Sequence, residues 1–149
     1  MKRTPVQTAA LLVGVVFLLV GVLGFVPGIT APFADLAFAG TGSMTALLGL
    51  FQVGVLHNIV HLLFGVAGVA AARTAGAARA FLIGGGVIYL VLWLYGLIID
   101  LNSSANFVPL NAADNWLHLV LAVGMLALGF ALGRRTGARA VGGASTAMR

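Results

Sequence analysis

With 149 residues, 61% of them hydrophobic and only 7% charged, the chain carries far more apolar surface than a soluble fold can hide, since soluble domains are about 25% charged. The net charge of +5 does not point to a nucleic-acid partner, because the few basic residues stand at the ends of apolar runs and act there as topology signals. The absence of cysteine excludes disulfides, thiolate metal sites, a cysteine nucleophile and covalent haem attachment, so any metal or haem must rest on His, Asp or Asn.

Apolar runs cover residues 8–26, 56–72, 80–99 and 113–132. A bilayer core of about 30 Å takes about 20 residues of helix, so each run can cross it, the second only just. The expected fold is therefore all-α and integral to the membrane, a bundle of four transmembrane helices. One membrane domain over residues 1–139 is followed by a Gly/Ala/Ser/Thr-rich cytoplasmic tail, residues 140–149, expected to be disordered. The first run follows Lys2 and Arg3 as a signal peptide would, but it exceeds the 7–15 residues typical of a cleaved h-region.

Between the first two runs lie Pro27, Pro32, Asp35 and the turn cluster Gly40-Thr41-Gly42-Ser43, which break helical continuity. Residues 45–55 are apolar enough to lie in the interface or to lengthen the second helix. Lys2, Arg3, Arg73, Arg79, Arg134, Arg135, Arg139 and Arg149 all fall on one side of the spans, and Asp35, Asp100 and Asp114 on the other. The positive-inside rule then places both termini in the cytoplasm. Small residues let helix backbones approach where lipid gives no hydrophobic drive, and Gly65 with Gly68 and Ala72, Gly84-Gly85-Gly86, and Gly129 with Gly133 form such faces. These faces serve the bundle or a homo-oligomer; attachment to a larger membrane complex is the other expected partnership, besides the lipid bilayer itself.

The second and fourth spans open alike. His57-Asn58-Ile59-Val60-His61-Leu62 matches Asp114-Asn115-Trp116-Leu117-His118-Leu119 as [His/Asp]-Asn-x-[Val/Leu]-His-Leu. The pattern describes two tandem helical hairpins related by an axis along the membrane normal. Equivalent residues then share a depth, and at 1.5 Å rise per residue both His61 and His118 lie roughly 7–10 Å below the outer helix ends. The i,i+3 and i,i+4 spacings place each motif's polar side chains on one helical face. Polar groups in lipid turn to the bundle interior and meet one another. One cluster of His57, Asn58, His61, Asp114, Asn115 and His118 is expected between the second and fourth helices, with Gln52 and Asn111 at its rim.

The chain here resembles the bacterial membrane proteins of domain of unknown function 4383. The resemblance rests on Leu48-Gly49-Leu50-Phe51-Gln52-Val53, His57-Asn58-Ile59-Val60-His61 and Ala113-Asp114-Asn115-Trp116-Leu117-His118, and spans residues 8–135. Relatives often carry Asn where Gly54 stands, which would match Asn111 of the second half. The resemblance implies an architecture and no activity.

Four uses of the cluster follow from its chemistry. His61 and His118 could ligate b-type haem from two helices. His57, His61 and His118 with Asp114 could hold Zn or Cu, the i,i+4 pair suiting either, although no HExxH-type base accompanies them. Histidines that titrate near neutral pH could line a small-molecule or quinone pocket at the outer leaflet, while the apolar inner halves of both spans argue against conduction. Lastly, Asp114 or Asn111 could cap the fourth span, with the Asn and His side chains cross-linking helices through hydrogen bonds of about 0.6 kcal/mol each. No catalytic residue is assigned, and the reading is of a non-enzymatic membrane protein. Tyr89, Trp93 and Tyr95 lie in the third span; Tyr95 and Trp116 fit an outer aromatic belt.

Overall fold

The computed structural model describes residues 2–146, with side chains through residue 133. Among the described residues there are four α-helices: α1 (Pro5–Leu23), α2 (Val55–Ala71), α3 (Ala75–Ile98) and α4 (Ala112–Thr146). Three of them, α1, α3 and α4 as far as Gly133, are long and apolar enough to cross a membrane. With 17 residues, α2 rises about 26 Å, just short of the hydrocarbon thickness. The expected boundary at residue 139 and tail over residues 140–149 fall beyond the last described side chain, and residues 147–149 lie outside the described residues.

Local chemistry sets the helix starts. Thr4 and Gln7 form a reciprocal cap, with the Thr4 backbone N–H and hydroxyl donating to Gln7 Oε1 at 3.0 and 2.9 Å, and Pro5 occupies the first helical position, where its missing N–H costs nothing. Hydropathy alone places this start at residue 8, because Thr4, Pro5 and Gln7 add nothing to an apolar count. Ahead of α3, the Thr74 hydroxyl accepts from Ala77 N at 3.2 Å.

Helices α1 and α2 pack antiparallel along most of their length, as do α3 and α4, and the two pairs meet chiefly where α1 crosses α3. Glycines make the close approaches. A Cβ on Gly14 would stand 2.7 Å from Val69 N and 2.9 Å from Gly65 O, and one on Gly86 would stand 3.0 Å from Leu126 N and 3.1 Å from Ala122 O. Backbones so near each other exchange dispersion contacts that no larger residue permits. Around these crossings Val6, Ala10, Phe17, Leu82, Tyr89, Ala122 and Met125 form the core. The outward faces are apolar as well: Leu12, Val16 and Leu19 of α1, Leu63 and Val66 of α2, Val87, Val91 and Leu97 of α3, and Val120 and Val123 of α4 are all exposed. Soluble proteins do not carry such surfaces on every helix.

The two long connections lie at the same end of the bundle and form a cap. Residues 24–54 fold into a three-stranded antiparallel sheet of β1 (Thr30–Ala31), β2 (Ala46–Leu47) and β3 (Phe51–Gln52), with Thr30 opposite Leu47 and Ala46 opposite Gln52. Over residues 45–55 this small sheet stands where a lengthened second helix was one expectation. The reason is local: Leu48 and Gly49 take φ of 54° and 69°, a left-handed pair that turns the chain back and that no α-helix can contain. Backbone bonds sew the sheet region to the second loop and to α2, from Gly40 N to Phe107 O at 2.9 Å and from Val55 N to Ala37 O at 3.0 Å.

Asp114 fastens this cap to α4. Its Oδ2 accepts from Asn111 N and from Gln52 N, both at 3.0 Å, while Asn111 Oδ1 accepts from Asp114 N at 2.9 Å. A carboxylate in the first turn also faces the positive end of the helix dipole. Asp114→Ala removes both charge-assisted bonds, so thermal unfolding in detergent should show a loss of about 2 kcal/mol. Asp114→Asn, which keeps an acceptor, should recover most of it.

Candidate functional site: a histidine-lined cavity

The polar residues of the two matching motifs separate into three structures. Asn58 and Asn115 form joints inside the helix pairs. Asn58 Nδ2 donates to Gly24 O at 2.8 Å, and a Cβ on Gly24 would collide with the Asn58 amide. Asn115 packs against Gly96 without such a bond: a Cβ there would meet its Oδ1, which is buried with no partner among the described residues. Only glycine leaves room for an amide against the neighbouring backbone. Asp114 and Asn111 belong to the cap, and Asn111 Nδ2 reaches Leu50 O at 2.8 Å. Gln52 turns away to Ser43, its Nε2 donating to Ser43 O at 2.6 Å.

The three histidines do come together. His57 and His61 of α2 and His118 of α4 line two neighbouring cavities, of about 290 and 140 Å3. The larger is walled by Leu56, Leu92 and Pro109 with Tyr89 of α3, and Val60, Ile88 and Phe107, all exposed on their outer sides, stand at its rim. The smaller runs under the cap, between Leu47, Phe51 and Val53 and the start of α4.

A ring-contact chain links the histidines across the bundle. His57 stacks on His61 with centroids 4.3 Å apart, His61 meets Phe17 at 5.4 Å, Phe17 stacks on Tyr89 at 5.6 Å, and Tyr89 meets His118 at 5.3 Å. Phe17 belongs to α1 and Tyr89 to α3, so the middle of the chain spans the contact between the two helix pairs. Neither residue enters the cluster expected from sequence, although a signal exists. Gly14-Val15-Val16-Phe17-Leu18 and Gly86-Val87-Ile88-Tyr89-Leu90 align, and both segments reach a glycine at the same interval, Gly24 and Gly96.

His61 Nδ1 lies 2.9 Å from the His57 carbonyl. A carbonyl only accepts, so this nitrogen carries the proton and Nε2 keeps a lone pair. Among the described residues it is the only imidazole nitrogen with a hydrogen-bond partner, and His118 Nδ1 is fully buried without one. Unpaired polar atoms at this depth are costly.

Among the described residues no three His, Asp or Glu side chains converge closely enough to hold a metal ion, and Asp114 Oδ2 is already taken by two backbone donors. His61 and His118, the pair a b-type haem would need, line the same two cavities, and Phe17 and Tyr89 join them by a second route of ring contacts. What the arrangement can do is enclose a small apolar ring and offer it hydrogen-bonding groups.

No curated protein and no solved structure matches the chain. A family model does, over residues 7–131, a stretch that holds the first three apolar runs, nearly all of the fourth, both motifs and every histidine. The chain belongs to the family described as domain of unknown function (DUF4383).

Proposed function

We propose that this is a membrane protein that binds a quinone-class molecule, an apolar ring carrying carbonyl or hydroxyl groups, in the cavity shared by His57, His61, His118 and Tyr89. The carrying observation is that one of six imidazole nitrogens has a hydrogen-bond partner among the described residues and His118 Nδ1 is fully buried without one, while the rings border a cavity of about 290 Å3. That volume suits a ring headgroup. Quinone carbonyls accept from protonated ring nitrogens or the Tyr89 hydroxyl, and a quinol hydroxyl donates to His61 Nε2. A rim of exposed Val60 and Ile88 gives a lipid-borne tail a lateral exit into the bilayer.

In this reading the basic end of the bundle faces the cytoplasm and the cap faces outward, as the positive-inside rule directs. The bundle is then a duplicated hairpin, with Phe17 and His61 in the first copy standing where Tyr89 and His118 stand in the second. The equal intervals Gly14–Gly24 and Gly86–Gly96 and the paired glycine–asparagine joints support the duplication. The cofactor-free binding role accounts for the histidines without asking them to ligate anything.

The test titrates purified protein in lipid nanodiscs with 2-methyl-1,4-naphthoquinone and follows quenching of Trp93 and Trp116 fluorescence. Saturable quenching is expected, weakened about tenfold by His118→Leu or His61→Leu, the scale of one lost hydrogen bond with its partner left unsatisfied. Val60→Trp, which narrows the rim, should slow binding. Quenching that never saturates, or that the histidine variants leave unchanged, sinks the reading.

A further inference from the structure

A further cavity, independent of the histidines, lies at the opposite end of the bundle. It measures about 580 Å3 and is bordered by Lys2, Arg3, Thr4, Gln7 and Arg73. Gln7 builds it: its Nε2 donates to Ala72 O at 3.0 Å and to Arg73 O at 2.9 Å, which pins the first turn of α1 to the chain just past the end of α2. Two cations from the start of the chain and one from the α2–α3 turn are thereby brought around one space.

Among the described residues no acidic side chain offsets them. The chain has no glutamate, and Asp35, Asp100 and Asp114 all belong to the cap or its loops. The first turn of α1 holds no acidic residue either, so the positive end of its dipole adds to the field. The apolar floor continues the site toward the bilayer: Leu11 and the exposed Val69 line the same cavity below the cations.

We infer that this cavity is a binding site for an anionic phospholipid, its phosphate held among Lys2, Arg3 and Arg73 and its acyl chains lying along Leu11 and Val69. Basic pockets between helices at a membrane surface have the charge and shape for such headgroups. The apolar floor favours a lipid over a free phosphate, which has no use for it. Because the site shares no residue with the histidine cavity, it stands or falls separately from the quinone reading.

The experiment takes the full chain in neutral-detergent micelles containing equimolar phosphatidylglycerol and phosphatidylcholine of matched acyl chains, and counts retained lipids by native mass spectrometry. Phosphatidylglycerol should be retained preferentially. Lys2→Gln, Arg3→Gln and Arg73→Gln should each lower that retention about fivefold, the scale of one cation near an anionic surface. Arg79→Gln removes a charge at the same end, from a side chain packed on Gly133 outside the cavity, and should leave retention unchanged. Equal retention of the two lipids overturns the inference. So does an equal effect of Arg79→Gln, which would mean diffuse charge, and so does displacement by millimolar inorganic phosphate, which would mean a phosphate site.

Discussion

Gly14→Leu is expected to destabilise the bundle by about 3 kcal/mol or more, at the upper end of overpacking costs, whereas Gly84→Leu should change stability by no more than about 0.5 kcal/mol, as for a surface site. Both glycines lie mid-helix in apolar runs and look alike in sequence. At Gly14 the added Cβ meets Val69 N, Gly65 O and Gly68 C at 2.7–3.0 Å, all backbone atoms that cannot rotate away. Relief requires α1 and α2 to separate, which breaks their packing over several turns. At Gly84 nothing lies within 4 Å, and the new side chain joins the exposed apolar surface of Val87 and Ile88. Thermal unfolding of the two variants in one detergent decides the matter, and similar melting temperatures would refute the close crossing of α1 on α2.

Asn106→Leu should cost about 3 kcal/mol and open the histidine cavity at its loop side. The residue is 1% exposed. Its Nδ2 donates to Leu101 O at 2.8 Å and to Leu110 O at 2.9 Å, and its Oδ1 accepts from Leu110 N at 3.1 Å. Leucine matches the volume and replaces none of these bonds, and the buried Leu110 N–H and C=O lose their partners at about 1 kcal/mol or more for each group. The bonds hold residues 107–109 in place, and Phe107, Val108 and Pro109 wall the cavity. Hydrogen exchange should therefore rise over residues 101–111, and naphthoquinone affinity should fall with it. If exchange there is unchanged while the protein remains folded, Asn106 does not anchor this wall.

The chain's apolar runs and its matched His/Asn motifs were both legible without coordinates. Each helix starts within about five residues of the run that announces it, because hydrocarbon admits a spanning chain chiefly as helix, while α4 continues past its run to Thr146. The expected grouping of His57, His61 and His118 rested on residues three and four apart sharing a helical face and on polar faces turning inward; in the structure the three line the same two cavities. Asn58 and Asn115 were grouped with them on the same grounds, and here periodicity misled. It gives the face of a helix but not what stands opposite, and glycine opposite an asparagine turns a cluster member into a joint between helices. Phe17 and Tyr89 were passed over because an aromatic residue in an apolar run carries no polar signal.

By itself the sequence determined the helices, the family and the sorting of basic from acidic residues to opposite ends, since these depend on composition and on interactions along a single chain. The tertiary structure alone decided which glycines touch a neighbouring helix, how Leu48 and Gly49 reverse the chain into a sheet, and that Asp114 serves the cap while three imidazoles are left to border a cavity. Each of these depends on atoms far apart in sequence, and the number of ways such atoms can meet is narrowed only when all four helices pack at once.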